Sequence, residues 1–269
     1  LRVNLIYQYW DGELRSGVDA SRKNIAEYAK RIGAEHRFDH NPRYFASTLG
    51  NESKYYGAFR PIYDESFDQY DNVLFLDCDI FAVDNLQENV FDAFSPEADI
   101  GMCTEPFQPK QRTISLGQIT SQKDEKWAKV IKQTWGADLP RTDEDLLQVY
   151  NSGVVLYSRE ARIKAREKFV DFKEYINKIR SSGLINFYAL DQNYLHAMIF
   201  ICGMNLQEMH NGWNSYIHYT RDRENPNKRV NDSRTKETKF VHAQGAGLDR
   251  LSEEALYRVV NLPQSEWKI

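Results

Sequence analysis

Asn72-Val73-Leu74-Phe75-Leu76-Asp77-Cys78-Asp79-Ile80-Phe81 runs four apolar residues into two carboxylates one residue apart, then returns to apolar chain. A short unbroken apolar run of this kind reads as a strand buried on both faces, as in a parallel sheet. In an extended backbone residues i and i+2 share a face, so Asp77 and Asp79 are expected to converge at the strand's carboxyl end. Two hard oxygen ligands there suit a divalent cation that also grips substrate phosphates. The plainer reading of the same triplet is a pair of acidic residues capping a turn.

Outward from that strand the pattern alternates. Val3 to Tyr9 reads as a first strand, Ser21 to Ala29 as a helix capped weakly at Ser21, and Ala34 to Phe38 as a second strand. Ser53 to Tyr70 carries helical material interrupted at Pro61. Leu86 to Phe94 and Asp124 to Trp135 read as helices, with a strand from Asp99 to Thr104 between them. Tyr150 to Ser158 is β-rich and leads into one long charged helix, Arg159 to about Arg180. Its apolar stripe is Phe169, Phe172, Ile176 and Ile179, and its many Lys and Arg read as a solvated face. Ile185 to Ile201 is a further apolar helix, opening near Asp191-Gln192. Strands alternating with helices predict an α/β fold with a mixed, mainly parallel central sheet flanked by helices. The one irregular region is Asn211 to Lys239, rich in Asn, Arg, Lys and Asp, which reads as a long functional loop.

The bulk numbers exclude more than they assign. At 269 residues, 41% hydrophobic and 28% charged, the composition is that of a globular protein with a full core. The net charge of −4 carries no electrostatic footprint for nucleic acid. No run of about 18 apolar residues is present to span a membrane. Leu1 to Trp10 has neither the basic region nor the cleavage site of a signal peptide, which places the expectation in the cytoplasm. The chain, 1–269, reads as a single domain, and its start without Met suggests a piece of a longer protein. Cys78, Cys103 and Cys202 are odd in number and lack CxxC spacing, which argues for free thiols in a reducing compartment.

Further residues gather around the acidic pair. Arg60 precedes the acidic strand as a fixed cation, although an Arg there is ordinarily a surface residue. Glu105 follows the strand ending at Thr104, on the carboxyl-end rim where open α/β sheets bind ligands. Asn151-Ser152-Gly153 opens a strand; Gly153 would let a ligand approach the backbone, and Asn151 can hydrogen-bond a sugar hydroxyl. Phe240-Val241-His242-Ala243-Gln244-Gly245 ends another strand with a His, a metal ligand when neutral, though a lone His is more commonly structural. Trp213, Tyr216 and Tyr219 are suited to stack on a sugar ring or, equally, to anchor a core.

Taken in order, Leu76-Asp77-Cys78-Asp79-Ile80, Tyr150-Asn151-Ser152-Gly153-Val154, Asp191-Gln192 and His242-x-x-Gly245 resemble the motifs of GT-A glycosyltransferases. The likeness is to the retaining family 8, which includes glycogenin and bacterial galactosyltransferases, and it covers roughly Leu1 to Gly247. It implies a single Rossmann-like GT-A domain that moves a hexose, galactose or glucose by preference, from a UDP-sugar to a saccharide or glycoprotein acceptor. It implies Mn²⁺ or Mg²⁺ held by Asp77, Asp79 and His242. It places Arg60 and Glu105 toward the donor sugar and ribose, Gly245 among the donor-binding residues, and Tyr7 or Tyr9 against the base. Asn151, Asp191 and Gln192 would line the pocket around the anomeric carbon. Retention is the implied outcome; an inverting reaction would need Asp191 or Glu105 as base. One departure matters: the family's Lys after His-x-x-Gly is Leu248 here. Arg250, or Arg221, Arg223, Lys228 or Arg229 from the basic stretch, would have to replace it. A non-catalytic carbohydrate-binding module, a haloacid dehalogenase-like phosphatase and a sugar nucleotidyltransferase are the competing readings. The second and third lack, respectively, the early position of their Asp pair and a Gly-rich basic loop after the first strand.

Overall fold

The computed structural model describes residues 3–114, 117–220, 229–245 and 247–267. β1 (Asn4–Trp10), α1 (Ser16–Ile32) and β2 (Glu35–His40) form a βαβ unit. Ser21, expected as a cap, lies inside α1, which starts five residues earlier and stops at Gly33 (φ 70°), a left-handed position that glycine takes without strain. Three one-turn helices, α2 (Ala46–Leu49), α3 (Ser53–Tyr56) and α4 (Arg60–Tyr63), lead to β3 (Asn72–Leu76). Pro61 sits in the first turn of α4, where its missing N–H costs nothing. After β4 (Ile80–Ala82), Leu86 to Phe94 is mostly irregular, with a single 3₁₀ turn at Val90–Ala93 where a helix was expected. Its apolar residues Leu86, Val90, Phe91 and Phe94 are all buried, so packing set that pattern, not helical period.

β5 (Ile100–Thr104), α5 (Lys110–Ile114), α6 (Ser121–Trp135) and β6 (Tyr150–Ser158) follow, then α7 (Arg159–Lys168), α8 (Phe172–Ser181), α9 (Asp191–Ile201) and β7 (Leu206–Glu208). The principal sheet has the order β2-β1-β3-β6-β5-β7. Only β6 runs against its neighbours, so the sheet is mixed and mainly parallel. β3 sits in its interior and is buried throughout, as its apolar run predicts. Val73 and Phe75 face the core under α7 to α9; Leu74 and Leu76 face the core under α1, with Ile25 and Tyr28.

The expected long helix is two. Phe169 (ψ 135°) leaves helical geometry, and Asp171 restarts it by accepting from the N–H of Lys173 at 2.8 Å and of Glu174 at 3.2 Å. Asp171→Ala is expected to cost about 1 kcal/mol, readable as a shift in the urea midpoint with unchanged slope. Nor is the basic face of this segment wholly solvated. Arg162 is fully buried and donates to the carbonyls of Tyr157, Phe67 and Tyr70 at 3.1, 3.0 and 2.6 Å. Burial pulls its pKa down to about 10.

The expected loop Asn211 to Lys239 also carries regular structure. β8 (Ser215–Thr220) and β9 (Arg229–Asp232) pair antiparallel and join β10 (Phe240–Gln244) and β4 in a second sheet, order β4-β10-β8-β9, packed on α10 (Glu253–Asn261). Trp213 and Tyr216 are buried at 3% and 5%, Trp213 edge-on to Phe240, so they are core and offer no surface to a sugar. The side chain of Tyr219 lies outside the described residues. The chain leaves the principal sheet at Leu76 and enters the second at Ile80, so Asp77-Cys78-Asp79 is the link between the sheets. Among the described residues no helix is long and apolar enough to cross a membrane.

Candidate active site

Asp77 and Asp79 do converge, but through a turn and not on one face of a strand. The Ile80 N–H returns to the Asp77 carbonyl at 3.2 Å, closing the turn. From below, buried Gln8 donates to the Asp77 carbonyl at 3.3 Å, and Ser21 to that of Ile80 at 2.7 Å. Across the second sheet the register sets His242 opposite Ile80, and the Ala243 N–H reaches the Asp79 carbonyl at 2.8 Å. Strand pairing therefore delivers His242 to the acidic turn. One ligand atom from each of Asp77, Asp79 and His242 lies within 4.8 Å of the others. Gly153 keeps the space clear, since a Cβ there would stand 2.7 Å from His242 Cε1 and 3.0 Å from Asp77 Oδ2.

The electrostatics leave this trio short of positive charge. Burial and then the Asp79 charge push the Asp77 carboxyl up to about 8. Burial opposes charge on His242, but Asp79, 3.1 Å from Nε2, and Asp77 outweigh it and raise its pKa. Among the described residues no Lys or Arg pairs with Asp77 or Asp79. Two oxygens and a nitrogen at this spacing, without a fixed cation, fit a divalent metal ion.

Asp77 and Asp79, with His242 buried behind them, border a cleft of about 720 Å³ at the carboxyl ends of β1 and β3, where open α/β sheets bind ligands. Asn151 and Ser152 at the start of β6, Asp191 and Gln192 at the start of α9, and Gln244 and Gly245 after β10 share it. Asn151 Nδ2 donates to Gln192 Oε1 at 3.1 Å, and Gln192 Nε2 to Glu105 Oε1 at 3.1 Å. Glu105 thus stands behind the wall and not on it. Ser152 Oγ donates to Asp191 Oδ2 at 3.0 Å.

Tyr9 lines the cleft, its hydroxyl on the Lys54 carbonyl at 2.7 Å and its ring fitted against Gly57. Tyr7 is fully buried behind it and reaches no ligand. Arg60 is also away from the cleft wall, in ion pairs with Asp39 and Asp64, the latter at 3.1 Å. Leu248, at the position of the family Lys, is 2% exposed in the core of the second sheet, and Arg250 is exposed away from the cleft. Arg221, Arg223 and Lys228, and the side chain of Arg229, lie outside the described residues. The cations among the described cleft residues are Arg15 and Lys54; Arg15 pairs with Asp249. Neither was singled out in the sequence, and nor were Tyr55 and Phe187, which add aromatic rings to the cleft wall. Their only sequence signal is position, in the loop after β1 and in the segments that lead into α4 and α9.

Burial raises Asp191 to about 6, against the Ser152 hydroxyl and the first N–H groups of α9. A carboxyl raised above its unfolded value favours folding while protonated, and that advantage is lost as pH rises through about 6. Asp191→Asn has no such loss. Between about pH 4 and 8 its stability should fall less than wild type's by about 1–2 kcal/mol, a two-unit shift discounted for partial exposure. Parallel melting curves across that range would refute it.

No family model matches the sequence, and no curated protein matches it. Solved structures do share its shape. The galactosyltransferase LgtC in complex with donor and acceptor sugar analogs is 15% identical, with a TM-score of 0.52, over 98% of this chain and 99% of that one. A glycosyltransferase involved in glycosylating the major capsid of PBCV-1 is 13% identical, TM-score 0.52, over 96% and 98%. Mouse xyloside xylosyltransferase 1 is 12% identical, TM-score 0.51, over 90% and 97%. The chain has the GT-A fold of these proteins along almost its whole length.

Proposed function

We propose that the chain, as a single domain, is a metal-dependent glycosyltransferase that moves a hexose from a UDP-sugar, galactose or glucose by preference, to a saccharide or glycan acceptor with retention. The observation that carries this reading is the trio of Asp77, Asp79 and His242, uncompensated by any described cation, whose two carboxylates open on a cleft with room for a nucleotide sugar. A Mn²⁺ or Mg²⁺ ion held there would neutralise charge on the departing diphosphate.

The chain's own residues would do the rest. Tyr9 backs the base, and Arg15 and Gly245 stand at the diphosphate side. Asn151 and Gln192 present amide dipoles to the sugar, where positive charge builds on the anomeric carbon. Gln192 is engaged at both ends of its amide and is a fixed dipole, not a free nucleophile. A structure of an LgtC active-site mutant with glutamine replaced by glutamate supports looking for a working glutamine in such a cleft. Tyr55 and Phe187 offer the acceptor an aromatic wall. Asp191, with its raised pKa, would be the base of an inverting reaction, so the anomeric configuration of the product, read by NMR, decides retention.

The test is the melting shift with UDP, UDP-galactose, UDP-glucose and GDP, each with and without Mn²⁺. Ligand at about 100 times its Kd adds roughly 2.7 kcal/mol. A Mn²⁺-dependent shift with one uridine sugar is expected. No shift with any nucleotide would overturn the reading and leave a carbohydrate-binding module.

A further inference from the structure

Asp79 poses a difficulty for the cation site. Its Oδ1 lies 3.1 Å from His242 Nε2 and, as an acceptor, draws the ring proton onto the nitrogen that must offer a lone pair to a metal. The proton has a competing place on Nδ1, which lies 3.2 Å from Asn214 Oδ1.

From Asn214 the hydrogen bonds run in one direction. Asn214 Nδ2 donates to Asn151 Oδ1 at 2.9 Å, Asn151 Nδ2 to Gln192 Oε1 at 3.1 Å, and Gln192 Nε2 to Glu105 Oε1 at 3.1 Å. Amides can turn over, so the direction needs anchors. Two independent ones agree. Glu105 as a carboxylate only accepts, which fixes the Gln192 nitrogen toward it. The Gly153 N–H, which cannot turn over, donates to Asn151 Oδ1 at 2.8 Å and fixes that oxygen. At the far end Gln244 Nε2 lies 3.0 Å from His242 Nε2, as a donor suited to a bare ring nitrogen.

Behind Glu105 stands a buried charge. Arg112, 6% exposed, donates to Asp124 Oδ1 at 2.9 Å and holds its guanidinium 3.9 Å from Glu105 Oε2. Asn214 and Asn151 are 0% and 3% exposed, so water does not scramble the links between Asn151, Asn214 and His242.

We propose that a one-way hydrogen-bond chain, fixed at Asn151 by the Gly153 N–H and continued through Asn214, holds the His242 proton on Nδ1 and presents Nε2 to a divalent cation. This rests on the cation site of the reading above. It makes Asn151 and Asn214 positioning residues, acting on the metal through His242, and couples the sugar wall of the cleft to the metal ligand. Partners of this kind change metal affinity by about 10–100-fold.

Two readouts test it, neither of them turnover. In ¹⁵N NMR of the cation-free protein at about pH 9, where imidazole is neutral, His242 should carry its proton on Nδ1 in wild type. In Asn151→Ala and Asn214→Ala it should shift toward Nε2. By calorimetry both variants should bind Mn²⁺ about tenfold or more weakly than wild type, with a cation-free circular dichroism spectrum unchanged. A wild-type proton on Nε2, or Mn²⁺ affinity equal in wild type and both variants, overturns the chain and leaves the transferase reading standing. Absence of Mn²⁺ binding by wild type overturns the cation site itself, and the chain's proposed purpose with it.

Discussion

Asp79→Asn should abolish Mn²⁺-dependent nucleotide binding and lower transferase turnover by about 10³-fold, since removal of even one fixed electrostatic group at such a centre costs about 10²–10³. The substitution keeps the size of the side chain. It also leaves the turn intact, because the backbone builds it: the Asp77 N–H to the Gly153 carbonyl at 2.9 Å, and the Ala243 N–H to the Asp79 carbonyl at 2.8 Å. A second consequence has the opposite sign. With Asp79 neutral, Asp77 no longer faces a like charge, and the repulsion that helps to raise its pKa is gone. In the absence of cation and at about pH 9, where imidazole is neutral and no ion pair with His242 is lost, the variant should therefore melt at or above the wild-type temperature, while its melting point should no longer respond to Mn²⁺. That pairing separates a ligand from a structural residue, whose loss would lower the melting point outright. Mn²⁺-dependent turnover preserved in Asp79→Asn would remove Asp79 from the cation site.

Why the sequence exposed this centre and hid much of its setting follows from the scale at which each feature is encoded. Burial of β3 on both faces is written in five adjacent residues, and the sheet class follows from strands alternating with helices. The meeting of Asp77 with Asp79 is local too, but a turn makes it and not the shared face of a strand. An extended strand would have aligned them, but Asp77 already belongs to the turn between two sheets. The second sheet itself was illegible because β8 and β9 lie in a polar stretch, Asn211 to Lys239, whose composition resembles a loop. Trp213 shows the same limit, since only pairing with Phe240 makes it core. Arg162 is an exception to charge patterning that no periodicity could flag: three backbone carbonyls, from Tyr157, Phe67 and Tyr70, take the place of water around it. Arg60 and Tyr7 were placed by likeness of order along the chain, and order does not say which of two neighbouring residues faces a cleft. Tyr9 does so because Gly57 leaves room for its ring.

Gly153→Ala is the second large effect and the sharper test of how the centre is built. The sequence suggested that Gly153 lets a ligand come close to the backbone. In the structure the close approach is made by the protein's own groups: a Cβ would meet His242 Cε1 at 2.7 Å, Asn151 Oδ1 at 2.9 Å and Asp77 Oδ2 at 3.0 Å. None of the three yields easily. His242 is 1% exposed and held through Asn214, Asn151 Oδ1 is held by the Gly153 N–H, and Asp77 sits in a turn closed on both sides. One methyl group should thus move His242 of the proposed metal site and the Asn151 amide next to it together. We expect a loss of turnover of about 10²-fold or more, as for misplacement by about an ångström near reacting atoms, with Mn²⁺ affinity falling in parallel and stability dropping by about 1–3 kcal/mol. The two accounts part on one comparison. If the methyl obstructs the sugar, KM for the donor rises while Mn²⁺ binds as in wild type. If it displaces Asp77 and His242, Mn²⁺ affinity falls in the protein without nucleotide, before any sugar is present.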